Sequence, residues 1–342
     1  MKRFKGYEHG INLGGWLSQC THTKERYENF IKEEDIKKIS LWGLDHIRLP
    51  VDYEVFQDKE GVFIEEGFSR VEKLMDWCTK YELNVVLDLH KTFGFSFDSG
   101  EGENGFFENL EYQERFYQLW EKLAGRFSKY KDKIAFELLN EVTEKKYSDT
   151  WNGIIDKCIK VIRKYTKETK IIIGGYFNNS IAALPDLINP EDDNIVYTFH
   201  CYEPIIFTHQ GAYWIQEMDK NFRTGINCSY NELEKMSKKN LAYTAVDFSK
   251  FKSESIFSKE FFSELLSQAV RIAEERGHAL YCGEYGVINL AQEGDTLNWY
   301  KMICSAFDDF HIGRAAWSYK EMDFGFIDKH MENILPELIK II

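Results

Sequence analysis

Eight short, nearly continuous apolar runs, separated by amphipathic helical periods and lacking any phosphate-binding glycine fingerprint, predict an α/β protein: a (β/α)8 TIM barrel with a small subdomain inserted after strand six. Continuous rather than alternating hydrophobicity is what a parallel strand buried on both faces requires. The runs are 9–15, 45–51, 84–90, 134–140, 171–175, 195–200, 279–286 and 314–319. No G-x-G-x-x-G follows the first of them and no G-x-x-x-x-G-K-[ST] occurs, so an open nucleotide-binding sheet loses its support.

Between the runs, Phe116, Leu119, Trp120, Leu123 and Phe127 form one helical stripe, and Ile154, Ile155, Cys158, Ile159 and Ile162 form another. The surplus length lies between the sixth and seventh runs. There 260–277 reads as the regular sixth helix, with Phe262, Leu265, Leu266, Ala269, Ile272 and Ala273 in register, which leaves 203–258 as an aromatic, charged excursion. The expectation is one catalytic (β/α)8 domain over 1–342, with 203–258 as a lid or subdomain at the barrel mouth. The C-terminal ends of the strands, which this excursion follows, are where barrel enzymes place their chemistry.

Composition narrows the function. Of 342 residues, 44% are hydrophobic and 29% charged, with only 5 Pro, as in a compact globular chain. Lys and Arg number 43 against 56 Asp and Glu, a net charge of −13 with no extended basic cluster, which argues against nucleic acid as a partner. No apolar run approaches the roughly 20 residues needed to cross a bilayer, so no membrane partner is expected. Met1 to Glu8 has a basic start without an apolar stretch, and the expected location is the cytoplasm. The seven cysteines are scattered with no C-x-x-C pair, which reads as reduced packing residues and not as a disulfide frame or zinc site. No cofactor and no metal is called for, and a monomer is the expected state. Asn178-Asn179-Ser180 and Asn227-Cys228-Ser229 match the N-glycosylation pattern and read as coincidence without a secretion signal.

The informative feature is what stands at the strand ends. Arg48, His90, Asn140 with Glu141, His200 with Tyr202, Glu284 and Trp317 each sit at the C-terminal side of a run. Singly they are ordinary: a lone His after an apolar run is more often structural, and Arg48 could pair with Asp45 or Asp52. In a closed barrel, however, all these ends converge on one pocket. No H-E-x-x-H and no G-x-S-x-G is present, so two carboxylates without a metal signature become the catalysts themselves. Hydrolysis of a glycosidic bond needs this pair, one protonated to serve the leaving oxygen and one ionised to face the anomeric carbon. Asn140 can place its amide on a sugar 2-hydroxyl while Glu141 serves as acid/base. Arg48 and the Tyr202 hydroxyl would keep Glu284 anionic, as the nucleophile. Strands four and seven can hold the two carboxyl groups about 5 Å apart, the retaining separation.

These residues resemble glycoside hydrolase family 5, from Gly10-Ile11-Asn12-Leu13-Gly14-Gly15-Trp16 to Ala316-Trp317-Ser318-Tyr319. The family pattern is an Arg after strand two, a His after strand three, an Asn-Glu pair after strand four, a His-x-Tyr after strand six, a Glu after strand seven and a Trp after strand eight. Arg48, His90, Asn140, Glu141, His200, Tyr202, Glu284 and Trp317 match it in order. The resemblance implies that Glu141 is the acid/base, Glu284 the nucleophile and Trp317 the platform under the sugar at the cleavage point. It is nearest to clostridial-type endoglucanases acting on cellulose derivatives and mixed-linkage β-glucan, on the segment Phe207 to Gln210 with Trp214 and on Tyr281-Cys282-Gly283-Glu284. The implied activity is a retaining endo-β-1,4-glucanase on β-glucan chains, the alternative being a β-mannan or glucomannan oligosaccharide hydrolase of the same family. Lys91 stands where many members have a second His, which bears on sugar choice. Among loop aromatics, Trp317 and then Trp214 are the expected platforms, with half or more of Trp16, Phe93, Phe95, Tyr176, Phe207, Tyr213 and Trp214 expected as buried staples. Lys320 and Asp323, past strand eight, read as surface ion-pairing groups.

Overall fold

A computed structural model describes residues 1–242, 244 and 246–342; Tyr243 and Ala245, inside the 203–258 excursion, lie outside the described residues. The strands are β1 (His9–Asn12), β2 (His46–Asp52), β3 (Asn84–Lys91), β4 (Ile134–Glu137), β5 (Lys170–Ile173), β6 (Ile195–His200), β7 (Ala279–Tyr285) and β8 (Gly313–Ala316). Each pairs in parallel with its neighbours in chain order, and β8 returns to β1, so the sheet closes as a (β/α)8 barrel. Every predicted run forms a strand. Runs one, four, five and eight extend two or three residues beyond their ladders, because their last residues leave the sheet as they reach the mouth.

Register shifts fall at that same end, between Val51 and Asp52, Phe199 and His200, and Cys282 and Tyr285. Such irregularities turn side chains off the ladder, and here they accompany His200 and Glu284. At the other end the barrel interior is closed by Phe4, Tyr7, Val86, Ala135, Ile172, Val196, Ala279, Tyr281 and Ala315. Within it His46 contacts Asp45 at 2.6 Å and the Tyr281 hydroxyl at 2.8 Å. A Cβ on Gly10 would lie 2.3 Å from the His46 ring, so only glycine lets that imidazole cross the barrel.

The helices Glu65–Lys80, Leu110–Phe127, Ser148–Ile162, Lys259–Arg276 and Glu293–Phe310 cover the outside and bury their apolar stripes on the sheet, Trp120, Trp151 and Trp299 included. Strand β5 is the exception. It is followed by a tight turn at Tyr176–Asn179, with Phe177, Asn178 and Asn179 all at positive φ, and then by a 3-10 segment at Ile181–Asp186.

Between β6 and Lys259–Arg276 the chain forms one helical turn (Ile205–Thr208) and a helix (Tyr230–Asn240) started by a Ser229/Glu232 capping box. The later part of this stretch packs outward: Tyr230 stacks on Phe251 with centroids 4.4 Å apart, and Phe257 reaches Phe261 at 4.8 Å. The earlier part packs inward. Ala212 and Ile215 join Ile288, Trp317 and Phe324 in an apolar cluster of their own beside the mouth.

Candidate active site

The site is assembled from strand ends. β2 contributes Arg48, fully buried, whose guanidinium is surrounded by acceptors. Its Nε donates to Glu137 Oε2 at 2.7 Å and Nη2 to Glu137 Oε1 at 3.0 Å, a bidentate pair. Nη2 also reaches Asn140 Oδ1 at 2.9 Å and pairs with Asp88 Oδ2 at 3.0 Å. Nη1 donates to Asn12 Oδ1 at 3.0 Å and to Glu284 Oε1 at 2.8 Å. Arg48 therefore does not pair with Asp45 or Asp52; Asp45 binds His46, and Asp52 binds His22 at 3.2 Å.

Glu284, at the end of β7, takes its second contact from Tyr202, whose hydroxyl donates to Oε2 at 2.8 Å. Both carboxylate oxygens thus accept, one from a cation and one from a phenol. Burial and the facing Glu284 charge push the Tyr202 phenol well up, so it remains a donor across the working pH range. Burial works against ionisation of Asp88, pushed up to about 7, and of Glu137, while Arg48 opposes the rise in both. The guanidinium itself stays charged: burial works against it, but Asp88, Glu137 and Glu284 hold it well above its ordinary value.

Glu141 lies four residues beyond the end of β4, at a backbone φ of 42°, in the left-handed region that a non-glycine residue occupies only when its surroundings fix it. The fixing contacts are visible. Asn140 N bonds Leu89 O at 3.1 Å, and Phe177 N and Asn178 N from the turn after β5 bond Thr143 O and Val142 O. Asn178 Nδ2 then donates to Glu141 Oε2 at 3.0 Å, and His200 Nδ1 lies 2.6 Å from Oε1. Burial raises the Glu141 carboxyl above its ordinary value, and the Asn178 hydrogen bond pulls against that rise. His200 is held neutral, its ring lowered to about 4 by burial.

The two carboxylates face one another. One oxygen of each, together with His200 Nδ1, falls within 4.8 Å of the other two atoms. His90 Nδ1 is 2.6 Å from Asp88 Oδ2, and its ring lies parallel to Trp317, 5° between planes with centroids 5.9 Å apart. The structure thus places Arg48, His90, Asn140, Glu141, His200, Tyr202, Glu284 and Trp317 around one mouth. It adds Asp88, Glu137, Asn12 and Asn178, which the sequence reading did not single out.

The arrangement suits proton transfer and nucleophilic attack better than metal binding. Glu141, His200 and Glu284 are close enough to share an ion, but their facing atoms already satisfy each other and Arg48. A second grouping, His22, Asp52 and Glu54, offers no free imidazole lone pair. Although burial lowers His22, Asp52 and Cys20 bring it to about 10, so the ring is protonated. Lys91 is engaged by Glu54 at 2.6 Å and Glu101 at 3.1 Å. Despite burial, those partners hold it above its ordinary value, which removes the free amine that Schiff-base chemistry needs.

Of the loop aromatics, Trp16, Phe95, Tyr176 and Phe207 are buried, while Tyr213 and Trp214 are 74% and 45% exposed. Trp214 packs on His209 and Phe324 with centroids 5.9 Å and 6.4 Å away. Trp317 is only 5% exposed. Lys320 pairs with Asp35 at 3.7 Å.

Known proteins resemble this chain over most of its length. The sequence profile of the cellulase family, glycosyl hydrolase family 5, matches residues 6–323. The chain is 47% identical over 314 residues to cellodextrinase A of Ruminococcus flavefaciens, covering 92% of this chain and 86% of that protein. It is 37% identical over 341 residues to endoglucanase C of Acetivibrio thermocellus, covering 98% of each. Among solved structures, the clostridial cellulose synthase subunit Z of Clostridioides difficile superposes with a TM-score of 0.74 at 26% identity, over 97% of this chain and 99% of that one.

Proposed function

The chain belongs to glycosyl hydrolase family 5, and on that basis we propose that it is a retaining endo-β-1,4-glucanase that cleaves β-glucan chains by double displacement. The observation that carries the reading is the pair Glu141 and Glu284, close together across the mouth in unlike surroundings. Burial raises the Glu141 carboxyl, which suits it to be the acid that delivers a proton to the leaving oxygen. Arg48 and Tyr202 each donate to one oxygen of Glu284 and so orient it to attack the anomeric carbon. An oxygen of each lies within 4.8 Å of the other, which supports the short separation of retaining enzymes over the wider spacing, roughly 6.5–9.5 Å, that inversion needs for its water. Once Glu284 is esterified its charge is gone, Glu141 ionises more readily, and it activates the water that releases the sugar. His90, Asn140 and His200 line the cleavage subsite, and Trp317 forms its floor.

The names of the two relatives favour glucan over mannan as the substrate class. The 203–258 excursion is assigned as a cover on the β8 side of the cleft, supported by the packing of Ala212 and Ile215 on Trp317 and Phe324. Product analysis on barley β-glucan, carboxymethylcellulose, glucomannan and mannohexaose tests the reading, with Glu141→Gln and Glu284→Gln alongside. Both variants are expected to lose several orders of magnitude. With azide, Glu141→Ala is expected to yield the β-glycosyl azide and Glu284→Ala the α-azide; full activity in either Gln variant removes the assignment.

A further inference from the structure

His90 has one ring nitrogen engaged and one idle. Nδ1 lies 2.6 Å from Asp88 Oδ2, whereas Nε2 is buried and has no hydrogen-bond partner among the described residues. The same Asp88 oxygen lies 3.0 Å from Nη2 of Arg48, a group that never gives up its charge. An oxygen held against that cation is an acceptor, so the imidazole facing it must carry its proton on Nδ1. A neutral imidazole has one N–H only, and Nε2 is then a bare lone pair. The ring is neutral, lowered by burial, although the Glu284 charge opposes this; Arg48, Asp52 and Glu141 are the other charges that reach it. It stacks on Trp317, within the mouth that the two carboxylates face.

We propose that Asp88 is a positioning residue that fixes the His90 tautomer, so that Nε2 accepts a hydrogen bond from a sugar hydroxyl in the cleavage subsite. Asp88 also braces Arg48, which holds Glu284, so one carboxylate orients both the nucleophile's counter-charge and a substrate contact. The proposal rests on the reading of His90 as a substrate contact but not on the assignment of Glu141 or Glu284, which the azide products test separately.

The orphaned Asp88 Oδ1 shows how to separate orientation from charge. In Asp88→Asn the amide oxygen can take the place of Oδ2 and the amino group that of Oδ1, which preserves an acceptor toward His90. In Asp88→Leu there is no acceptor and neither tautomer is favoured. Nitrogen-15 spectra of histidine-labelled protein, with the His90 signals identified by their loss in His90→Gln, are expected to show the proton on Nδ1 in the unaltered enzyme and in Asp88→Asn, and a mixture in Asp88→Leu. On an unmodified oligosaccharide, Asp88→Leu is expected to lose about 100-fold in kcat/KM and Asp88→Asn far less. On a set of deoxyfluoro analogues, one has lost the hydroxyl that Nε2 accepts from, and on that analogue the Asp88→Leu loss is expected to shrink to a few-fold. An equal loss on every analogue, or a wild-type His90 protonated on Nε2, overturns the proposal; the wild-type spectrum decides the tautomer even if Asp88→Leu does not fold.

Discussion

Tyr202 and Glu284 are joined by a 2.8 Å hydrogen bond to Oε2, the carboxylate oxygen that Arg48 leaves free. Each oxygen of Glu284 therefore has its own donor, and the two donors differ in kind. Tyr202→Phe removes one charge-assisted hydrogen bond worth about 1.5–3 kcal/mol, so kcat/KM is expected to fall about 10- to 100-fold with the fold intact. Arg48→Met is expected to be worse in a different way, because Asp88, Glu137 and Glu284 then face one another buried without their cation. A loss of about 3–5 kcal/mol in urea unfolding is expected, against about 1.5–3 kcal/mol at most for Tyr202→Phe. Equal stability in the two variants contradicts the buried cluster.

Asn178 donates to Glu141 and so favours its ionised form. Asn178→Ala removes that donor and lets burial act unopposed, which moves the Glu141 carboxyl further up. With Glu141 as the proposed acid, the basic limb of the kcat/KM profile marks loss of its proton and is expected to shift to higher pH. A limb that stays in place, or moves down, shows that Asn178 does not act on this group.

Two histidines at the mouth, His200 and His209, are lowered to about 4, both chiefly by burial. In the unfolded chain each takes up a proton near 6.5, whereas the native state does so only near 4. Between those values the unfolded state binds more protons, so stability is lost as pH falls through this window and is retained above it. Urea midpoints measured from pH 7 to 4 are expected to decline, and less steeply in His209→Gln, which lacks one of the two groups. An identical decline in both proteins counts against the burial of His209.

Gly14 lies against Trp317, where an added Cβ would be 2.8 Å from the Cη2 atom of the indole. Gly14→Ala must shift the ring, at about 1–3 kcal/mol for overpacking of this kind. If Trp317 is the sugar platform, the effect is expected as a raised KM for oligosaccharides with a small change in thermal stability and an altered indole fluorescence. Unchanged KM with altered fluorescence removes Trp317 from the binding surface.

The barrel is legible in the sequence because buried parallel strands leave continuous apolar runs, and all eight strands follow from that signal alone. The strand-end residues are legible for a related reason: a polar side chain closing an apolar run is conspicuous. Asp88 and Glu137 are not, since they sit inside runs 84–90 and 134–140, where a single charge looks like noise. A signal exists, because His90 and Asp88 share the period-two face of β3, and a charge on an inward face needs a partner inside the barrel. Asn178 is hidden by its surroundings: its sequence fits a glycosylation pattern, and its role arises from a run of three left-handed residues that no periodicity announces. Arg48 is conspicuous in the sequence, but its neighbours there, Asp45 and Asp52, are not its partners; those carboxylates come from β3, β4 and β7.

One guanidinium, rooted in β2 and bonded to carboxylates of three other strands, gives the enzyme a modular character. The Arg48 cluster is woven into the wall of the barrel, while the exposed aromatics Tyr213 and Trp214 hang on a connection outside it. Such connections can lengthen, shorten or be exchanged to suit another chain without disturbing the bond-breaking step, so altered preference is best sought there and the four-strand knot left untouched.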